Sequence, residues 1–383
     1  MKPRILYPLA RGSRSKARLL AFAATGALVL TATTAVAPGG PAALAVSVSQ
    51  PAITVADGNS VIAVQSTGGG LRFYWNEHGT NNWHGEQVAA AGTTYSMPAI
   101  TQVGNIVVIA AEGISNSLDL YWQVNGASGW NSEVVAGPQT TFSAPSVAPD
   151  GTSTIISAQG PVNSLAFYWA TSVTGPWNPE IIAARGTTYS APAETVNGNS
   201  VNIATEGPGG SLDFYWAVNG SPTWNPEVVA GAGSIGSPPA MVAQGGGVNI
   251  VARRYSTLGL VFYWAFNGSP TWTPSDLAGQ EIFQPAIVAY PGNPGGVHVV
   301  APAGSAGGVA EETDVNGSGT WQENIVCPAG SSGDACALGA PAVTMNGGLV
   351  NIAVVAANGD LDFWWQDSSG TWHQETVDTP ASM

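Results

Sequence analysis

Residues 192–238 read PAETVNGNSVNIATEGPGGSLDFYWAVNGSPTWNPEVVAGAGSIGSP. Four strand-length runs, PAETV, SVNIATE, LDFYWAV and PEVVA, alternate with glycine-rich or Asn-Gly turns, and β-branched and aromatic residues are enriched in them. No helical apolar period survives more than a turn or two, so the unit is built of antiparallel strands. The unit recurs seven times at about 47-residue intervals, opening on Pro51, Pro98, Pro145, Pro192, Pro239, Pro285 and Pro341. Seven copies of four strands predict an all-β fold, a seven-bladed β-propeller over residues 46–383. An open solenoid would need polar end repeats, yet the first copy keeps LRFYW and the last LDFWW. Apolar faces at both ends need each other, so the ring is expected to close.

The first 45 residues differ from the rest. Lys2, Arg4, Arg11, Arg14, Lys16 and Arg18 precede an apolar run from Leu19 to about Val36, and no acid occurs among them. This is the pattern of a secretory signal peptide, with cleavage after Ala45 favoured over Ala37, which Pro38 would follow directly. Threonines in the run and small residues after it favour a cleaved leader over a membrane anchor, so the mature protein is expected to be secreted, without stable membrane insertion. Without the leader, 24 acids face only Arg72, Arg185, Arg253 and Arg254, a net charge of −20 with no lysine. Nucleic acid and anionic membranes need clustered cations and are excluded as partners; neutral and cationic ligands are not. Cys327 and Cys336, nine positions apart in an exported chain, are expected to form a disulfide.

Three landmarks recur in the copies. The aromatic triplet appears as Phe73-Tyr74-Trp75, Leu120-Tyr121-Trp122, Phe167-Tyr168-Trp169, Phe214-Tyr215-Trp216, Phe262-Tyr263-Trp264 and Phe363-Trp364-Trp365. Strand alternation sends Leu212, Phe214 and Trp216 to one face and Asp213 with Tyr215 to the other, and both faces of a blade pack on neighbours, so the triplets read as inter-blade core. The Asn-Gly pairs at Asn125, Asn219, Asn267 and Asn316 predict tight hairpin turns after the triplet. A second tryptophan then follows at Trp83, Trp130, Trp177, Trp224, Trp272, Trp321 and Trp372. It has two readings of equal weight: an indole offered to the C–H face of a sugar, or a clamp holding its hairpin to the next blade.

Three residues beyond this tryptophan stands a carboxylate, at Glu86, Glu133, Glu180, Glu227 and Glu375, which reads first as an edge-strand charge that blocks aggregation. The linker to the next blade carries Tyr95, Phe142 and Tyr189, a second choice of binding aromatics. Copy six departs from the pattern, with Glu311, Glu312 and Thr313 where the triplet belongs. The favoured reading is a decayed blade stapled by the disulfide; the other is a private site built on Glu311, Glu312 and Asp314. His78, His84, His298 and His373 are scattered over three copies without paired-ligand spacing, no nucleophile elbow occurs, and nothing calls for a metal or a cofactor.

The W-x-x-E strand, Gly-ended loop, Ser-x-Pro-Ala, Val/Ile-rich strand and Gly-led aromatic strand together resemble the bacterial seven-bladed β-propeller lectins with tectonin-like or Photorhabdus-type repeats, from Pro51 to about Val377. The resemblance implies a secreted, multivalent, non-enzymatic carbohydrate binder for fucose or other simple sugars, with shallow pockets between blades. On that reading Trp83, Trp130, Trp177, Trp224, Trp272, Trp372, Tyr95 and Tyr189 are the candidate sugar contacts. The alternatives are a glycan-processing hydrolase or lyase with one site near blade six, and a protein-binding cell-surface scaffold.

Overall fold

The computed structural model describes residues 50–76, 82–266, 269–277, 283–290, 296–303, 308–314, 319–327, 336 and 339–379. The leader, His78, Asn267, Asn316 and residues 328–335 of the cysteine loop lie outside them. Among the described residues twenty-eight strands, β1 to β28 in chain order, form seven antiparallel sheets, each of four consecutive strands. These are the seven blades. Blade four consists of β13 (Ala193–Asn197), β14 (Ser200–Glu206), β15 (Leu212–Val218) and β16 (Asn225–Ala230), which match the four runs of its sequence. Pro226 is tolerated because β16 is the outer edge of the sheet, where a missing N–H breaks no ladder.

Alternation buries both faces of the blade. Phe214 joins Met241, Ile250 and Tyr263 of blade five in one core. Tyr215 joins Ile155, Leu165 and Phe167 of blade three in another. Each seam of the ring repeats this apolar contact, and a fully buried side chain of this kind contributes roughly 1.5–3 kcal/mol. Four of the linkers are stitched down by a serine: Ser96, Ser143, Ser190 and Ser237 accept the N–H of Glu112, Gln159, Glu206 and Arg253 at 3.0–3.1 Å.

The ring closes by docking. Strand β1 (Ala52–Ala56) packs beside both β5 (Ala99–Val103) and β25 (Ala342–Asn346), and among the described residues no sheet borrows a strand from the other end of the chain. Ile53, Ile62 and Tyr74 of blade one share a core with Ala353, Leu361 and Phe363 of blade seven. Tyr74 Oη also donates to Asp378 Oδ2 at 2.5 Å.

The seven repeat prolines open the innermost strands and line a central cavity of about 280 Å³. Two residues beyond each proline the side chain is apolar, Ile53, Ile100, Val147, Met241, Ile287 and Val343, except in blade four, which carries Glu194. Facing it from blade three are two more departures. Ser146 stands where other blades have alanine and accepts the Glu194 N–H at 3.2 Å, and Ser157 stands where the others have alanine or valine.

Two details depart from expectation or extend it. The Asn-Gly pairs at Asn125 and Asn219 do turn, with Ala127 and Ser221 donating back to Val124 and Val218 at 2.9 and 2.8 Å. They sit, however, within six-residue connections, 125–130 and 219–224, and not in tight two-residue hairpins. A disulfide joins Cys327, at the end of β24 (Trp321–Cys327), to Cys336, with Cα atoms 6.1 Å apart and both residues in the core shared by blades six and seven. Closing so short a loop is worth about 2 kcal/mol through the unfolded chain. Reduction is therefore expected to lower the thermal midpoint by a few degrees without unfolding the ring, read from melting scans with and without a thiol reductant.

Candidate functional site

The second tryptophan of each blade opens or immediately precedes the outermost strand and reaches across the seam to the blade before it. Trp130 Nε1 donates to Glu86 Oε1 at 2.8 Å, Trp177 to Glu133 at 2.7 Å, Trp224 to Glu180 at 3.1 Å, Trp272 to Glu227 at 3.1 Å and Trp83 to Glu375 at 3.0 Å. Except for Trp177, whose preceding blade has Leu120 in that place, its ring packs edge-on against the triplet phenylalanine of that preceding blade, at 5.0 Å for Phe73 and Trp130 and 5.1 Å for Phe167 and Trp224. The clamp geometry is thus present, and each of these indoles stays half-buried at its seam.

The carboxylates are not free edge charges, which corrects the reading made from their position alone. Glu180 accepts Trp224 on Oε2 and Trp169, from its own blade, on Oε1 at 2.8 Å. Glu227 does the same with Trp272 and Trp216, the latter also at 2.8 Å. Charge-assisted bonds of this kind are about twice as strong as neutral ones and fix both rings. The tryptophan that ends each triplet is likewise not wholly core: Trp75, Trp122, Trp169, Trp216 and Trp365 are half-buried.

Open cavities form beside this constellation. Between blades one and two, Phe73, Trp75, Glu86, Gln123, Asn125 and Asp57 line a cavity of about 550 Å³. Between blades three and four, Phe167, Trp169, Glu180, Trp224, Asn219 and Asp150 line one of about 350 Å³. An indole wall, an acceptor already oriented by other indoles and amide groups from the Asn-Gly turn are the parts needed to hold a pyranose by stacking and hydroxyl hydrogen bonds. Trp75, Trp169, Glu86 and Glu180 were not among the candidates read from sequence. The signal that finds them is the constant interval of 44 residues between Glu86 and Trp130, Glu133 and Trp177, and Glu180 and Trp224.

Five seams are complete in that a tryptophan donates across to a carboxylate of the preceding blade. At Glu180 and Glu227 the triplet tryptophan donates to the same carboxylate, and the two seams that touch blade six differ. Trp321 finds Ser275 Oγ at 3.2 Å in place of a carboxylate. Across the next seam Trp372 belongs to the core of blades six and seven, facing a blade with Thr313 and Asn324 where the indole and acid would stand. Tyr95 and Tyr189, 56% and 47% exposed, lie elsewhere. Their N–H groups donate at 2.8 Å to Glu112 and Glu206, at the far ends of the second strands, so the linker aromatics occupy the opposite face from the tryptophan seams.

Blade six buries its acids. Glu311 Oε1 meets His298 Nδ1 at 2.5 Å and its Oε2 accepts Asn324 Nδ2 at 3.3 Å. Glu312 alternates to the other face of the strand, opposite Glu323, where burial first and the Glu323 charge second push its carboxyl up to about 7. The two carboxyls therefore address different seams and do not form the facing pair that glycoside hydrolysis uses.

No family model and no curated protein matches the chain in sequence. Among solved structures it is similar to the BP39L lectin from Burkholderia pseudomallei, with a TM-score of 0.75 at 20% identity over 86% of this chain and 99% of that one. It is also similar to a mutant Aleuria aurantia lectin in complex with Fucα1-6GlcNAc, with a TM-score of 0.52 at 14% identity over 88% and 98% of the two chains. SapL1 lectin in complex with α-methyl fucoside gives 0.53 at 12% identity over 75% of this chain and 98% of its own. At such identities the likeness is one of architecture: this chain shares the propeller fold of these lectins.

Proposed function

We propose that the protein is a secreted, multivalent, non-enzymatic lectin of the tectonin-like kind that binds simple sugars, fucose among them, in the seams between blades. The observation that carries the reading is the set of five seams in which a tryptophan donates to a carboxylate of the preceding blade, with cavities walled by triplet aromatics beside Glu86 and Glu180. Lectins of the same architecture, two of them solved with fucosides, support it. The contacts are Trp83, Trp130, Trp177, Trp224 and Trp272 with Glu375, Glu86, Glu133, Glu180 and Glu227, walled by the triplet tryptophans. Trp372, Tyr95 and Tyr189 fall outside this set. A pocket of millimolar affinity contributes only about −4 kcal/mol. Several such pockets on one rigid ring raise avidity by roughly 10²–10⁴ on a surface dense in the sugar. The leader supplies the route out of the cell.

Titration with methyl fucoside and a panel of simple glycosides is expected to saturate at five sites per chain. Trp224→Ala should remove one of them and leave the rest, whereas Trp372→Ala should leave the count at five. A well-folded protein that retains no glycan of a broad array would end the lectin reading and favour a protein-binding scaffold.

A further inference from the structure

The five complete seams are not equivalent in charge. The cavity between blades one and two is lined by two carboxylates, Glu86 and, from the turn between the first two strands of blade one, Asp57. The cavity between blades three and four likewise holds Glu180 and Asp150. No lysine, arginine or histidine lines either. The corresponding turns at the other three complete seams carry Gly104 and Asn105, Asn197 and Gly198, and Asn346 and Gly347, with no acid. Among the described residues, a second acid in this turn occurs at these two seams, and both are ones where a cavity opens.

Asp57 adopts a left-handed φ of 49° at the exposed tip of its turn. The following Gly58 carbonyl is tied across the closing seam by Asn346 Nδ2 at 3.0 Å, which fixes where the turn stands. Asp150 Oδ1 accepts Asn219 Nδ2, from the facing blade, at 2.7 Å. A cleft lined by one sign of charge with apolar walls focuses the field and concentrates the opposite ion. Here the walls are Phe73 and Trp75 in one cavity, and Phe167, Trp169 and Trp224 in the other. A cation beside an indole is further attracted by the ring quadrupole.

Resting on the lectin reading above, we infer that these two seams select sugars bearing a protonated amine, the pyranose lying on the indole and the ammonium between the two carboxylates. The same charges repel uronic and sialic acids, and the excess of acids over the whole chain acts in the same direction. The remaining three seams take neutral sugars.

The inference is tested by calorimetric titration of the full protein, near pH 6, with a glucosamine oligomer, its fully N-acetylated counterpart and methyl fucoside, each at low and high salt. The expected result is two sites that prefer the free amine by about tenfold or more at low salt, a preference that shrinks as salt screens it. In the double variant Asp57→Asn, Asp150→Asn the amine should bind no better than the acetylated oligomer. A preference that survives in the double variant, or equal binding of amine and acetylated sugar at every site, overturns the inference. Binding of neutral sugars alone sinks it while leaving the lectin reading in place; binding of none of the three sinks both.

Discussion

Glu227→Ala is expected to cost about 4 kcal/mol of stability, because one truncation strands two indole donors at once. Glu227 Oε1 accepts Trp216 at 2.8 Å and Oε2 accepts Trp272 at 3.1 Å. Each half-buried N–H left without a partner forfeits roughly 1–3 kcal/mol, and the rings lose the anchor that orients them across the seam. Glu227→Gln should recover about half, since its amide keeps one acceptor oxygen and places a donor against the other indole. Urea denaturation of the three proteins reads this ladder; an alanine variant within about 1 kcal/mol of the parent would mean the indoles are held by packing alone.

The second large effect runs the other way. Glu194→Met is expected to stabilise the ring by about 3 kcal/mol at pH 8, since it replaces a buried carboxyl by the apolar type found at Met241 of the next blade. Glu194 is only 8% exposed, and no protein donor satisfies its carboxyl oxygens among the described residues. Burial is the larger influence on it and raises its pKa well above the ordinary glutamate range, while Ser157 pulls weakly the other way. No titratable side chain of blade three, from Ser146 to Ala148 or from Ile155 to Ala158, offers it a countercharge.

The direction with pH follows from linkage. A group whose pKa is higher folded than unfolded contributes stability that is complete below the unfolded value, near 4.5, and is lost as pH climbs to the folded one. The parent should therefore weaken relative to Glu194→Met as pH rises from about 5 to 8, and the gap should narrow on acidification. Melting curves of both proteins across that range decide it; a gap independent of pH would show that packing, not ionisation, separates them.

The blade pattern was legible because period-two alternation and turn residues are local properties. Leu212, Phe214 and Asp213 declare their faces within a single strand, and seven repetitions remove ambiguity. What stayed hidden depends on partners far along the chain. Glu86 looks like an edge charge until Trp130, 44 residues on, is known to lie against it. For the same reason Trp75 and Trp169 read as core, although their outer ends border open cavities. The Asn-Gly pairs marked a turn correctly but not the length of its connection, because Trp130 and Trp224 must travel to the seam before their strands begin. Blade six was legible as an exception, and alternation alone turns Glu311 and Glu312 to opposite sides, but their partners, His298 and Asn324 for the one and Glu323 for the other, lie on neighbouring strands.

Since every sheet takes its four strands from one unbroken stretch, the order in which the blades are strung has no structural meaning. Joining the two ends and opening the polypeptide instead at an exposed linker, such as Arg185–Gly186, would give a circular permutant that closes the same ring. Blades one and seven would then be covalent neighbours, while blades three and four would be held by side-chain packing and by the backbone hydrogen bonds of Gly186, Thr187 and Thr188 to Val162 and Asn163.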